Sequence, residues 1–201
     1  MNDIGISNGF HDAGLSVIDG YGDILFAGHS ERYSGHKHDK NLCADLIKDA
    51  LTYVTDEWEL HYYERPFYKF LRQIRSGEGF NLSTLCVRDN LTNMFGKGKF
   101  HTHNHHLSHA AAGFQTSPHQ RATVVVIDAI GELDTISIWG AEYVNRQAKY
   151  TKLWGQKYPH SIGLFYSAMT QRVGLKPLDE EYIMMGMSAY GERGFGDLLK
   201  H

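Results

Sequence analysis

A chain of 201 residues, 42% of them apolar and with 12 Tyr and 10 Phe for bulk, is long enough to bury about 70% of its extended surface around a core. A net charge of −3 without a polybasic run argues against a nucleic-acid footprint, which needs a basic stripe. The N-terminus lacks a positive stretch leading into an apolar run, no segment reaches about 18 apolar residues, and two cysteines make no disulfide framework, so a cytoplasmic, reduced protein without a membrane span is expected.

Ile4–Ile6, Leu15–Ile18 and Ile24–Ala27 read as three short strands joined by Gly-rich turns, a meander. His11 and Asp12 fall in the first turn, whose glycines allow a nest of backbone N–H groups around an anion, although by itself the pattern favours a simple hairpin. Arg32 and Lys37 follow in a polar segment that could hold a phosphate or carboxylate, or equally be a solvated loop. Leu42, Cys43, Leu46, Ile47, Ala50, Leu51 and Val54 recur at helical spacing, which predicts a helix from Asp39, its cap, to Asp56. Residues 57–63 suggest a strand ended by Pro66, Phe67–Ile74 one or two helical turns, and Asp89–Phe95 a short helix. The run from Leu107 to Phe114 predicts another helix, ended by Ser117 and Pro118.

A second meander is expected over Ala122–Ile127, Thr135–Trp139 and Ala148–Leu153. Its first strand is too apolar to be half-exposed, and in its second Thr135, Ser137 and Trp139 oppose Ile136 and Ile138. Ser161 can cap a helix with Ile162, Phe165, Tyr166, Met169 and Val173 as its apolar positions and Gly174 just past its end. Glu180–Gly191 is a short Met-rich segment, and the chain stops at Leu198–His201 with no terminal element evident, which suggests truncation.

Five of the 13 histidines lie within His101–His109. His105 and His109 are four apart and share a face if a helix starts there. Asp128 stands at the end of an apolar strand. Two imidazoles and a carboxylate suit Fe, Zn or Mn and would leave coordination positions open, as a catalytic site requires, while spacing alone equally allows imidazoles that only hydrogen-bond in a polar loop. His106 would point away, to an outer shell or the surface, and Asp134 is a weaker alternative ligand. No His-Glu-x-x-His, Walker A or Gly-x-Ser-x-Gly run is present.

The segment His105-His-Leu-Ser-His-Ala-Ala-Ala-Gly-Phe114 resembles the metal motif of the NodU/CmcH-type O-carbamoyltransferases. Gly9-Phe-His-Asp-Ala13, Glu31-Arg-Tyr-Ser-Gly-His-Lys-His-Asp39, Tyr63-Glu-Arg-Pro66, Tyr158-Pro-His-Ser-Ile-Gly-Leu-Phe-Tyr166 and Met185-Gly-Met-Ser-Ala-Tyr-Gly191 agree with that family in order, over essentially the whole chain. Ile183 stands where many relatives carry lysine, and Ser188-Ala189 replaces Ala-Pro.

The resemblance implies an α/β, actin-like ATPase (ribonuclease H-like) fold, incomplete here. Residues 1–201 would be the N-terminal part of a Kae1-like domain, with 1–120 as first lobe and 121–201 as the start of a second. It implies transfer of a carbamoyl group to a hydroxyl of a small molecule, from carbamoyl adenylate made of carbamoyl phosphate and ATP at a separate YrdC-like region. His105, His109 and Asp128 would bind the metal, Fe(II) first and Zn or Mn next, with a further aspartate downstream. His11 is the candidate general base and Asp12 lies on the acceptor side. Gly131 and Glu132 match the loop near the nucleotide phosphates, and Arg32 and Lys37 match signature positions assigned to the same ligand. No membrane or nucleic-acid partner is implied, and oligomerisation is open. A non-catalytic metal or nucleotide module needing a partner, and an actin-like small-molecule kinase, are the competing functions.

Overall fold

The computed structural model describes residues 1–192 and 194, apart from Asp56 and Glu78. The predicted tail Leu198–His201 and the end of the predicted helix at Asp56 lie outside the described residues. In strand β1 (Asn2–Ser7) Asn2, Ile4 and Ile6 are buried and the residues between them are half-buried, the alternation of a one-sided strand. β1 pairs antiparallel with β2 (Gly14–Ile18), and β2 with β3 (Ile24–His29), so the predicted meander is present. On its other edge β1 runs parallel to β4 (Trp58–Tyr62), and β4 parallel to β5 (Lys99–Thr102). The five-stranded sheet has the order β3-β2-β1-β4-β5.

Parallel neighbours need long crossovers, usually helical. α1 (Glu31–Ser34) and α2 (Ala44–Leu51) lie between β3 and β4. α3 (Pro66–Ser76), a 3₁₀ turn (Leu82–Cys86) and α4 (Val87–Phe95) lie between β4 and β5. Ile4, Ile6, Leu15, Val17, Leu60 and Tyr62 form the core with Leu46 and Ala50 of α2 and Leu91 and Phe95 of α4. Each fully buried aliphatic side chain contributes about 1.5–3 kcal/mol.

The helix predicted from Asp39 starts five residues later. The carbonyls of Asp39 and Lys40 accept the N–H groups of Ala13 and Gly9, and Asp39 Oδ1 accepts from Asn41 N–H. That backbone is committed to the β1–β2 loop and cannot wind into a helix. Ser30 Oγ, accepting from Cys43 N–H at 3.1 Å, holds the actual start.

β6 (Arg121–Ile127), β7 (Asp134–Val144) and β8 (Gln147–Lys157) form a second, antiparallel sheet in the order β6-β7-β8. α5 (His105–Gln115) packs on it, with Ala110 against Val126 and Trp139. Thr135, Ser137, Trp139 and Ala141 face α5 and are buried. Two apolar expectations fail here. Val125 and Ile127 are 56% and 57% exposed, since α5 packs on the Val124 and Val126 side of β6. In α6 (Ile162–Arg172) Ile162 and Phe165 are exposed. The buried side of α6 carries Ser167 and Thr170, which meet Glu181 and Met184 of α7 (Glu181–Met187). Among the described residues no helix is long and apolar enough to cross a membrane.

Candidate functional site

Two side chains decide where α5 begins. Asn104 Oδ1 accepts from Leu107 N–H at 2.9 Å, and Ser108 Oγ donates to the Tyr63 carbonyl at 2.8 Å. The first closes an N-terminal turn, and the second fastens it to the end of β4. Replacing Asn104 by alanine is expected to cost about 1 kcal/mol, the usual loss for such a cap, measurable by urea denaturation.

With the helix starting at His105, His105 and His109 come onto one face. Asp128, just past the end of β6, meets them. Its N–H donates to the Thr135 carbonyl, its Oδ1 accepts from Ala129 N–H at 2.7 Å, and Oδ2 is left for the histidines. The turn it belongs to is pinned by Ser161 Oγ, which donates to the Ala129 carbonyl at 2.6 Å. Gly163 lies against this turn: a Cβ there would fall 2.6 Å from Ala129 Cα. The Tyr158–Tyr166 block thus supports the turn that carries Asp128, through Ser161 and Gly163.

His105 Nε2 lies 2.9 Å from Asp128 Oδ2 and 3.1 Å from His109 Nε2. A neutral imidazole nitrogen carries either one proton or one lone pair, so His105 Nε2 makes one linear hydrogen bond at most. The acceptor Asp128 Oδ2 and the ring nitrogen His109 Nε2 nevertheless both flank it, so in either tautomer of His109 only one of the two contacts is a full hydrogen bond. A metal ion resolves the conflict by accepting all three lone pairs. Metal–nitrogen and metal–oxygen bonds of about 2.0–2.2 Å give donor–donor separations of about 3.0–3.4 Å. The observed contacts are close to that range, and one ligand atom from each of the three residues lies within 4.8 Å of the others. The residues fit a metal.

Burial pushes the Asp128 carboxyl up, but its hydrogen bond to His105 and the nearby imidazole charge outweigh this and hold it below the usual carboxylate range. Burial, then the neighbouring His105, lowers His109 and favours the neutral ring that a metal needs. His105 Nδ1 is buried without a hydrogen bond, and Glu64 Oε2 lies 3.8 Å from it. Glu64 is itself buried, with Oε1 held by Lys69 Nζ at 2.6 Å. A metal on Nε2 places the proton on Nδ1, where Glu64 can accept it and fix the ring. Glu64→Gln is expected to weaken metal binding about 10- to 100-fold in a competition titration, while unchanged affinity would remove Glu64 from the site.

The three residues line a cavity of about 890 Å³, shared with His11, Glu64 and Gly131. His11 Nδ1 lies 2.9 Å from Asp12 Oδ2. Asp12 Oδ1 is 3.1 Å from His38 Nδ1, and His38 Nε2 is 3.2 Å from Asp179 Oδ1. Both His38 nitrogens face carboxylate oxygens, so the two bonds are made together only when the ring carries two protons. Asp12 and His38 both adopt left-handed backbone (φ 50° and 56°), an uncommon conformation for residues other than glycine. Burial raises the Asp12 carboxyl, but hydrogen bonds to His11 and His38 leave it lowered.

The other expected residues divide. Gly131 lines the cavity and rests on the imidazoles: a Cβ there would fall 2.8 Å from His105 Cδ2 and 2.9 Å from His106 Cδ2. Glu132 is only 4% exposed, and its carboxylate is taken by Arg65, through Nε, Nη2 and the backbone N–H, and by Asn104 Nδ2. Arg32 and Lys37 are not brought to the cavity. Arg32 is exposed beside Glu31, and Lys37 Nζ lies over the Tyr182 ring. His106, expected at an outer shell or the surface, is 1% exposed, with Nδ1 2.7 Å from Ser137 Oγ. It points away from His105 and His109, but that side of α5 faces the second sheet. Asp134 pairs with Lys152 and stays outside the triad. Glu64, Lys69 and His38 were missed in the sequence. Glu64 and His38 sit inside the ordered blocks, but their partners come from other elements.

A family profile described as the carbamoyltransferase N-terminus matches residues 48–199. The uncharacterized protein sll1178 of Synechocystis sp. is 29% identical over 224 aligned positions, covering 98% of this chain and 36% of that protein. The chain thus spans about a third of the length of that curated relative. Among solved structures, the Lmo2764 protein of Listeria monocytogenes aligns over 95% of this chain and 72% of its own at 13% identity, with a TM-score of 0.39 that carries no argument.

Proposed function

This chain belongs to the carbamoyltransferase family as its N-terminal part, and from that premise we propose that its parent protein moves a carbamoyl group from carbamoyl adenylate to a hydroxyl of a small molecule. The observation that carries the reading is the position of His105 Nε2 between Asp128 Oδ2 and His109 Nε2, in a cavity that His11 also lines. In this reading the donor is made from carbamoyl phosphate and ATP by a YrdC-like region of the parent. Residues 1–120 would form one lobe and 121–201 the start of another, in an actin-like fold, with α5 of the first lying against the sheet of the second. The sheet order β3-β2-β1-β4-β5, with its antiparallel meander continued by two parallel strands, supports that fold. A cytoplasmic setting goes with these substrates.

His105, His109 and Asp128 would hold the metal, Fe(II) first and Zn or Mn next. When bound, it supplies positive charge that offsets the phosphate of the activated donor. His11 donates Nδ1–H to Asp12, which leaves Nε2 with the lone pair of a general base. The acceptor oxygen bonds to the carbamoyl carbon as its proton passes to Nε2. The bond from that carbon to the phosphate oxygen breaks, and adenosine monophosphate leaves. Asp12 holds the His11 ring, and His38 with Asp179 holds Asp12. Gly131 keeps the wall beside His105 open, in addition to any contact with phosphate.

The test is ATP-dependent release of adenosine monophosphate from the metal-loaded parent protein, supplied with labelled carbamoyl phosphate and a panel of hydroxyl compounds. Label should pass to an acceptor, and His11→Ala should stop that passage while donor activation continues. No ATP-dependent use of carbamoyl phosphate by the loaded parent would sink the proposal.

A further inference from the structure

Three histidines that the first site does not use come together elsewhere. β1, β4 and β5 run parallel in register, with Asp3 beside Glu59 beside Lys99 and Gly5 beside His61 beside His101. Leu60 and Tyr62 turn to the core, so Glu59 and His61 turn to the opposite face of the sheet. His103 extends the ladder by one bond, its N–H donating to the Tyr62 carbonyl. Two carboxylates and three imidazoles therefore share one patch of sheet.

Their contacts are direct. His101 Nε2 lies 2.7 Å from Glu59 Oε2. His61 Nε2 lies 3.1 Å from Asp3 Oδ1, and His61 Nδ1 lies 2.9 Å from His103 Nε2. One ligand atom each of Glu59, His61 and His101 falls within 4.8 Å of the others. Lys99 Nζ, 2.6 Å from Glu59 Oε1, and then His101 hold the Glu59 carboxyl below its usual range, so it is present as the anion. Burial, then His61 and His101, lowers His103 and favours a neutral ring.

We infer that Glu59, His61 and His101 form a second metal site, for a divalent first-row transition ion such as Zn²⁺, separate from the His105–His109–Asp128 centre. With Nε2–H donated to Asp3, His61 presents Nδ1 to the ion, and Asp3 becomes the outer carboxylate that fixes its ring. His103 Nε2 stands next to that atom as a further donor. The rings of His61 and His101 stack at 4.8 Å, and those of His61 and His103 at 5.2 Å. Binding would turn the half-exposed His101 ring so that the donor atoms of all three residues take up the separations of about 3.0–3.4 Å that a shared ion sets. The ion displaces the exposed Lys99 ammonium from Glu59, and a surface pair of this kind is worth only about 0–1 kcal/mol.

The test is Zn²⁺ titration of the whole chain by calorimetry just above neutral pH, with imidazole ¹⁵N signals followed by NMR. A chain carrying both His105→Ala and His109→Ala should still bind one ion, and the signals of His61 and His101 should move while that of His119 stays. Adding His61→Gln or, separately, Glu59→Gln should weaken this uptake by at least about tenfold, and Lys99→Met should strengthen it by removing the competing cation. No uptake by the double variant, or uptake that both further substitutions leave unchanged in a folded chain, overturns the inference. A wild-type chain that binds one ion, insensitive to His105, would fail the first centre and leave the second standing.

Discussion

Replacing His105 by alanine is expected to remove the metal from the α5 centre, with a loss of affinity beyond the about 10- to 100-fold that follows loss of an outer-shell partner. Of the three ligands only His105 touches both others, at 2.9 and 3.1 Å, so its removal leaves Asp128 and His109 without the atom that joins them. The measurement is a competition titration read through His109, whose ¹⁵N signal is expected to move on metal addition in the wild type and to stay still in the variant. This readout also keeps the centre separate from the Glu59 cluster. Retention of metal at full occupancy with an unchanged His109 response would end the ligand assignment. His106→Gln should give the opposite pattern: it disturbs the buried contact with Ser137 and lowers stability, while the metal stays.

The second large effect is on stability. Arg65→Ala is expected to destabilise the fold by about 2–3 kcal/mol, because it leaves the buried Glu132 carboxylate without its countercharge, although Arg65 is itself part-exposed and the Arg65 backbone N–H and Asn104 Nδ2 still reach Glu132. The pair joins the start of α3 to the β6–β7 turn, and Arg65 also lies over the Tyr68 ring. The loss should appear as a fall in the urea midpoint at unchanged slope. Replacing both partners by apolar residues of similar size, Arg65→Met with Glu132→Leu, should restore most of it, since an apolar pair needs no desolvated charge. A loss under about 1 kcal/mol in Arg65→Ala would mean that Glu132 is not held structurally.

Elements governed by local periodicity were legible in the sequence. The first meander, β4, the short helix near Asp89 and the Ser161 cap all follow from alternation, helical spacing or a single side chain. What was not legible depended on distant backbone. No residue near Asp39 announces that its carbonyl is needed by Ala13, and that need delays α2 to Ala44. The exposure of Val125 and Ile127 is set by which side of β6 α5 takes, and hydrophobicity alone assigns them to a core. Among candidate residues, His105 and His109 came from i, i+4 spacing. Their meeting with Asp128 also needed the turn pinned by Ser161 and the room left by Gly163. Arg32 and Lys37 carried charge and a place in the Glu31–Asp39 block as signals, and neither supplies the geometric constraint that places a side chain. Glu64 and His38 act through a histidine and an aspartate remote in sequence, so their environment is tertiary.

The three candidate ligands all belong to one packed unit, since α5 rests on β6 and β7 while Asp128 ends β6. His11 rides on the other sheet, and the units are fastened by Arg65 with Glu132 and by Ser108 with the Tyr63 carbonyl. Occupancy and turnover therefore answer to different parts of the molecule. Under the proposed function, a change at Arg65 or Glu132 would shift the base relative to a seated ion, whereas loss of His105 or His109 would empty the seat and leave the base where it is.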